Sequence, residues 1–126
     1  MRKHYYFRPN GDAFDAWDVE RLVDLSVDLP VMEISLDAIA EIDSVYWIGA
    51  DGSSPTVRIL VRHMELVKGA DLSFPVIIGA DGHVMDGMHR VAKSLLLGRK
   101  TVRAVRFVEQ PCPDHVGIRP EDLPYD

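Results

Sequence analysis

Apolar residues fall at 57, 60, 61, 64 and 67 of TVRILVRHMELVK, and at 88, 91, 92, 95 and 96 of MHRVAKSLLLG. Each spacing draws one stripe along a helix, so helices are predicted over 56–68 and from Met88 onward. Gly69 and Gly98 stand where such helices end. FPVII, HVM and TVRAVRF are short apolar runs that read as strands. The four-residue turn GADG between the first two makes them antiparallel. PVMEISLDAIAEID reads as a strand, Val31 to Ile34, running into a helical turn at Leu36 to Ile42. SVYWIG is a second β-like run of β-branched and aromatic residues.

The flanks are less regular. Phe14, Trp17, Leu22, Val23 and Leu25 form an imperfect helical stripe, which Pro30 ends. Residues 1–12 read as an irregular or edge segment closed by a turn at PNGD. The tail from Val108 holds four prolines and no period, so an extended strap is expected. GADG recurs at 49–52 and 79–82 with unrelated flanks, which makes it reused turn chemistry. The expected architecture is a single α+β domain over 1–126, a small mixed β-sheet with helices packed on it.

Charge and cysteine content remove some classes. The 126 residues include 14 basic and 20 acidic side chains, a net charge of -6, which counts against a general nucleic-acid binder. The single cysteine, Cys112, forms no intrachain disulfide, and with His115 it is half of a closed zinc site, so no metal is assigned. The N-terminus has no apolar leader segment, and no run approaches the ~20 residues needed to span a bilayer. A cytoplasmic, non-membrane protein is the expectation. The acid-rich stretch DAWDVERLVDLSVD reads as a solvated face.

The chemistry gathers at DGMHR, Asp86 to Arg90, between a strand and a helix. His89, Arg90 and Lys93 fall off the apolar stripe, so the first turn of the helix carries three basic side chains beside free backbone N–H groups. Such a helix start suits a phosphate, which Arg90 can hold bidentately. Gly87 lets a ligand approach the backbone closely. Asp86 would stand beside the phosphate, to hold magnesium or accept a proton. The competing reading makes Asp86 an N-cap, Gly87 a turn residue, and Arg90 and Lys93 surface charges.

PVIIGADGHVMDGMHRVAKSLLLGRKTVRAVRF resembles the ParB/sulfiredoxin superfamily, in its strand–turn–strand, Gly-x-x-Arg corner, helix and final strand. PVMEISLDAI is similar to that domain's opening strand and turn, and the likeness covers roughly 31–107. It implies a phosphate site at Gly87, Met88, His89 and Arg90, with Lys93 assisting. Met88 stands where sulfiredoxins carry cysteine, so their thiol chemistry is not expected. The chain also lacks the later CTP motif and the DNA-reading part of chromosome-partitioning ParB proteins. DGMHR matches at four of five positions the Asp-Gly-His-His-Arg corner of the free-serine kinases of this fold. That likeness implies ATP, ADP or another nucleotide with magnesium, and carboxylates that activate an acceptor hydroxyl. Asp86 would be one, and Glu41 or Asp43 the second, with Glu33 behind them.

The expected function is therefore nucleotide or phosphate binding at the corner, with phosphotransfer to a small molecule. The alternative is a non-catalytic nucleotide-sensing or partner-binding module, associated with DNA-handling systems. His63 reads as structural, Asp71 as a turn former, and Tyr5, Tyr6, Trp17 and Trp47 as core or interface aromatics.

Overall fold

A computed structural model describes residues 2–49 and 52–126. Its centre is the segment that reads most clearly in the sequence. Strands Val76–Ile78 and Val84–Asp86 pair antiparallel, helix Met88–Leu96 follows, and strand Thr101–Arg106 returns parallel to the first. In chain order the strands are β1 Tyr5–Asn10, β2 Ala13–Asp18, β3 Met32–Ser35, β4 Val76–Ile78, β5 Val84–Asp86, β6 Thr101–Arg106 and β7 His115–Ile118. The α-helices are α1 Val19–Ser26, α2 Val57–Lys68 and α3 Met88–Leu96. Two 3-10 turns follow β3, at Leu36–Ala38 and Ala40–Asp43.

The strands make two sheets. One is mixed, in the order β3-β6-β4-β5, and the other is antiparallel, in the order β1-β2-β7. Alternation along the mixed sheet divides its side chains between two apolar layers. Val76, Ile78, Val84, Val102 and Ala104 pack with Leu36, Ile39, Met88 and Val91. Ile77, Met85 and Val105 pack with Trp17, Leu22 and Phe107. The first layer holds α3 and the 3-10 turns; the second joins the mixed sheet to α1 and to one face of the smaller sheet. With both faces covered, β4 reads as an unbroken apolar run.

The structure corrects several expectations. Phe14 and Trp17 lie on β2, and the helix begins only at Val19, capped by the Asp18 carboxylate at 3.0 Å from the Glu20 N–H. The turn at Gly11–Asp12, with Gly11 at φ 60°, makes residues 5–18 a hairpin. The C-terminal strap contributes β7, which pairs with β2. Residues 44–49 form no strand, because no neighbouring strand offers them a ladder.

The helical stripes are also less buried than their spacing predicts. α2 has no buried residue, with Val57 77% and Met64 57% exposed. Its packing partner is α3, which it meets along the edge containing His63 and Val67 and not along the whole stripe. In α3, Met88 and Val91 are buried, but Leu95 and Leu96 are exposed and Ser94 is buried in their place.

Candidate functional site

The strand-to-helix corner turns on one residue. β5 runs through Asp86, and Gly87 then takes φ 99°, the left-handed region open to glycine at low cost. Gly87 is the N-cap of α3, and its carbonyl accepts from the Arg90 and Val91 N–H groups at 2.9 and 3.1 Å. Asp86 is therefore not the cap. It belongs to the strand, and its carboxylate lies 3.6 Å from Arg90 Nη2.

A cleft of about 880 Å³ opens over this corner. It lies between the exposed edges of the two sheets, β5 and β1, and the segment around 41–47 closes its side. Asp86, Gly87, Met88 and His89 line one end, while Tyr6, Arg8, Asp81 and His83 line the wall formed by β1 and the β4–β5 turn. Glu41 lines the cleft as well. Its carboxylate accepts the Val84 N–H at 2.6 Å and lies 3.6 Å from His83 Nδ1.

Asp86 and Glu41 thus reach one cavity from different elements. Asp43 does not; it is exposed and outside the cleft lining. A 3-10 turn has three residues per turn, so positions two apart point to different sides. Glu33 lies elsewhere on β3, accepting from the Thr101 hydroxyl at 2.7 Å.

The two long cations of the corner are held by the chain itself. Arg90 Nη1 donates to the Pro75 carbonyl at 2.8 Å, and Lys93 Nζ to the Ala70 carbonyl at 2.8 Å. Both tie α3 to the loop between α2 and β4. Arg90 still lines a second, smaller cavity of about 270 Å³, shared with Asp71, Asp86, Gly87 and His89. Lys93 lines neither cavity. Asp71 accepts from the Ser73 hydroxyl and N–H, bonds that hold its carboxyl below the usual range.

Three rings stack beside the corner. Trp47 lies on His89 at 4.4 Å and 12°, and His63 flanks both. His63 Nδ1 and His89 Nε2 are buried with no hydrogen-bond partner among the described residues. Burial pushes the His89 pKa down, and the nearby His63 and Arg90 charges add to this while Asp86 opposes it. Tyr46 is pushed up to about 12 by burial and then by Tyr6, Glu41 and Asp86.

The His89 shift has a measurable sign. The unfolded chain takes up this proton first, so the stability it contributes is full above about pH 6.5 and is lost as pH falls through the folded value. Urea midpoints of the wild type should therefore drop between pH 7.5 and 5 by more than those of His89→Gln. Equal drops would show that His89 is not what titrates.

Tyr6, Arg8, Tyr46 and Trp47 also line the cleft, where sequence pattern marked Tyr6 and Trp47 only as core or interface aromatics and did not single out Arg8 or Tyr46. The signal available for the first two was Asn-Gly-Asp at 10–12, a hairpin turn that folds residues 5–10 back onto 13–18. No helix of the described residues is long and apolar enough to cross a membrane. Comparison with protein-family models, curated proteins and solved structures finds no match to this chain.

Proposed function

We propose that the chain is a nucleotide- or phosphate-binding domain of the cytoplasm that transfers phosphate to a small molecule. The observation that carries this reading is the convergence of Asp86, Glu41 and the N-terminal end of α3 on one large cleft. A helix start offers unpaired N–H donors and positive potential to an anion. Packing requires glycine at position 87, since a Cβ there would stand 2.8 Å from Arg90 Nη1 and 3.3 Å from Val76 Cα. The volume lies within the range of small-molecule sites, and far exceeds what inorganic phosphate needs.

Gly87, Met88 and His89 would hold the phosphate through the backbone, with Arg90 facing it from the smaller cavity. The side chains of Asp86 and Glu41 could carry magnesium, which commonly takes only one or two protein carboxylates and completes its shell with phosphate and water. Either carboxylate could instead receive the proton of the acceptor hydroxyl. Glu41 already has a strand N–H bonded to it, which fixes its orientation.

A second reading rests on Arg90 and Lys93. Both are engaged with backbone carbonyls, which suits a module that binds its ligand without turning it over. Thermal-shift titrations separate binding from its absence. ATP, ADP, CTP, GTP and pyrophosphate with magnesium should include at least one ligand that stabilises by about 2.7 kcal/mol at 100 times its Kd. Arg90→Ala should lower the melting temperature of the free protein and remove the ligand shift. No shift in the wild type with any of the five would sink the phosphate reading. If a nucleotide binds, appearance of a phosphorylated product when small hydroxyl compounds are added as acceptors, abolished in Glu41→Gln, would mark transfer; release of inorganic phosphate alone would mark hydrolysis, and binding without turnover would favour the sensing module.

A further inference from the structure

We infer that the outward apolar strip of α2 is the face through which two copies of this chain pair, with their α2 helices antiparallel across a two-fold axis. The inference stands apart from the phosphate reading and uses none of its residues.

Little within the chain holds α2. It has 12 residues, and a helix of that length takes most of its stability from packing. Yet only His63 and Val67 are even partly buried, on the edge that meets α3. The other apolar positions face outward: Val57 is 77% exposed, Met64 57%, Val61 46% and Leu60 45%. These four stand at i, i+3, i+4 and i+7, which makes one strip about 100° wide.

The strip continues onto α3. Leu66 meets Arg90 in the smaller cavity, which marks one flank of the helix pair. By helical spacing the strip lies on the opposite flank of α2, and Leu95 and Leu96 lie on the opposite flank of α3. Both leucines are more than half exposed. The joint surface amounts to several hundred Å², the size of patch that marks an interaction site. It matches the apolar share of a standard interface, about 60% of ~800 Å² per partner.

What fits this surface is a second copy of it. A two-fold contact sets a surface on itself, so the surface must complement itself. The spacing of 57, 60, 61 and 64 is unchanged on reversal. An antiparallel copy therefore lays Val57 over the partner's Met64, and Leu60 over the partner's Val61. In that register Arg58 comes within about 3 Å of the level of the partner's Glu65, at ~1.5 Å rise per residue. Arg58 and Glu65 lie on the same flank of the strip, and antiparallel helices bring equal flanks together, so the ion pair forms twice. The Glu65 contact within the chain is long, 3.8 Å to Arg62, with the side chain 65% exposed, so its carboxylate is open to a partner. An acidic group among the flanking cations also disfavours an anionic membrane as the occupant.

Sedimentation equilibrium tests the pairing. At about 100 μM, where a micromolar dimer is formed, the wild type should have twice the 14.2 kDa mass of the chain. Met64→Glu and Val57→Glu, both at exposed positions and so still folded by circular dichroism, should be monomers. Arg58→Glu and Glu65→Arg should each weaken self-association about tenfold, because each sets like charges opposite one another. An equal mixture of these two variants restores opposite charges at both contacts and should recover the wild-type mass. A wild type that stays monomeric, or a dimer that survives both glutamate substitutions, would overturn the inference. So would a dimer insensitive to the charge reversals, or a mixture no heavier than its components.

Discussion

Trp17→Ala should lower the unfolding free energy by about 3–5 kcal/mol, the range for emptying a buried aromatic site. The side chain is 4% exposed, in the layer that joins the two sheets, where it packs with Leu22, Ile77, Met85, Val105 and Phe107. Its indole N–H donates to the Pro111 carbonyl at 2.8 Å, so the residue also ties down the C-terminal segment. The Tyr6 ring rests on it at 5.5 Å. Truncation leaves a cavity, a carbonyl short of its partner, and a cleft wall without backing. The expected fall in melting temperature is on the order of 10 °C or more. Trp17→Phe should recover most of the packing and leave a deficit near 1 kcal/mol for the missing hydrogen bond. Urea unfolding of both variants measures this. A loss under about 1 kcal/mol for alanine would mean that the sheets are not joined through this side chain.

Gly87→Ala is the second large effect, because strain and collision act together. A left-handed conformation costs a non-glycine residue about 1–2 kcal/mol. The added Cβ would also stand 2.8 Å from Arg90 Nη1, so the guanidinium must leave the Pro75 carbonyl or α3 must shift. A total of about 2–4 kcal/mol is expected, given the further loss of a charged hydrogen bond. Gly98→Ala is the control, since Gly98 has φ 74° and nothing within 4 Å of its Cβ position. It should show the strain alone. Phosphate affinity should fall at least tenfold in Gly87→Ala and stay unchanged in Gly98→Ala. Two variants of equal stability would show that the corner is not sterically closed.

Legibility followed the range of the interactions. The run from β4 to β6 was readable because its signals are local: apolar strands, a Gly-containing turn, a helical stripe and a glycine after it. The β1–β2 hairpin was not, although Asn10 and Gly11 announced a turn, because Phe14, Trp17 and Leu22 imitate helical spacing. The 44–49 run carried strand-forming residues, but β propensity expresses fit to a neighbouring strand, and none lies beside it. The stripes of α2 and α3 gave the right elements and overstated their burial, since periodicity says which face is apolar and not what covers it.

The corner and Glu41 were legible for the same reason, lying in or near the readable core. Asp43 fell on the wrong side of its 3-10 turn. The place of Arg8 and Tyr6 in the cleft wall was invisible because sheet packing brings them there from about 80 positions away in the chain, as Arg8 and Gly87 show.

The pairing of β2 with β7 sets Phe14 against Ile118. Closing a loop of that length must be met before the contact returns any stability, which slows folding. During synthesis the mixed sheet has all its strands once residue 106 has emerged, whereas the smaller sheet must wait for residue 118. The cleft, which needs an edge of each, should thus be among the last features of the protein to mature.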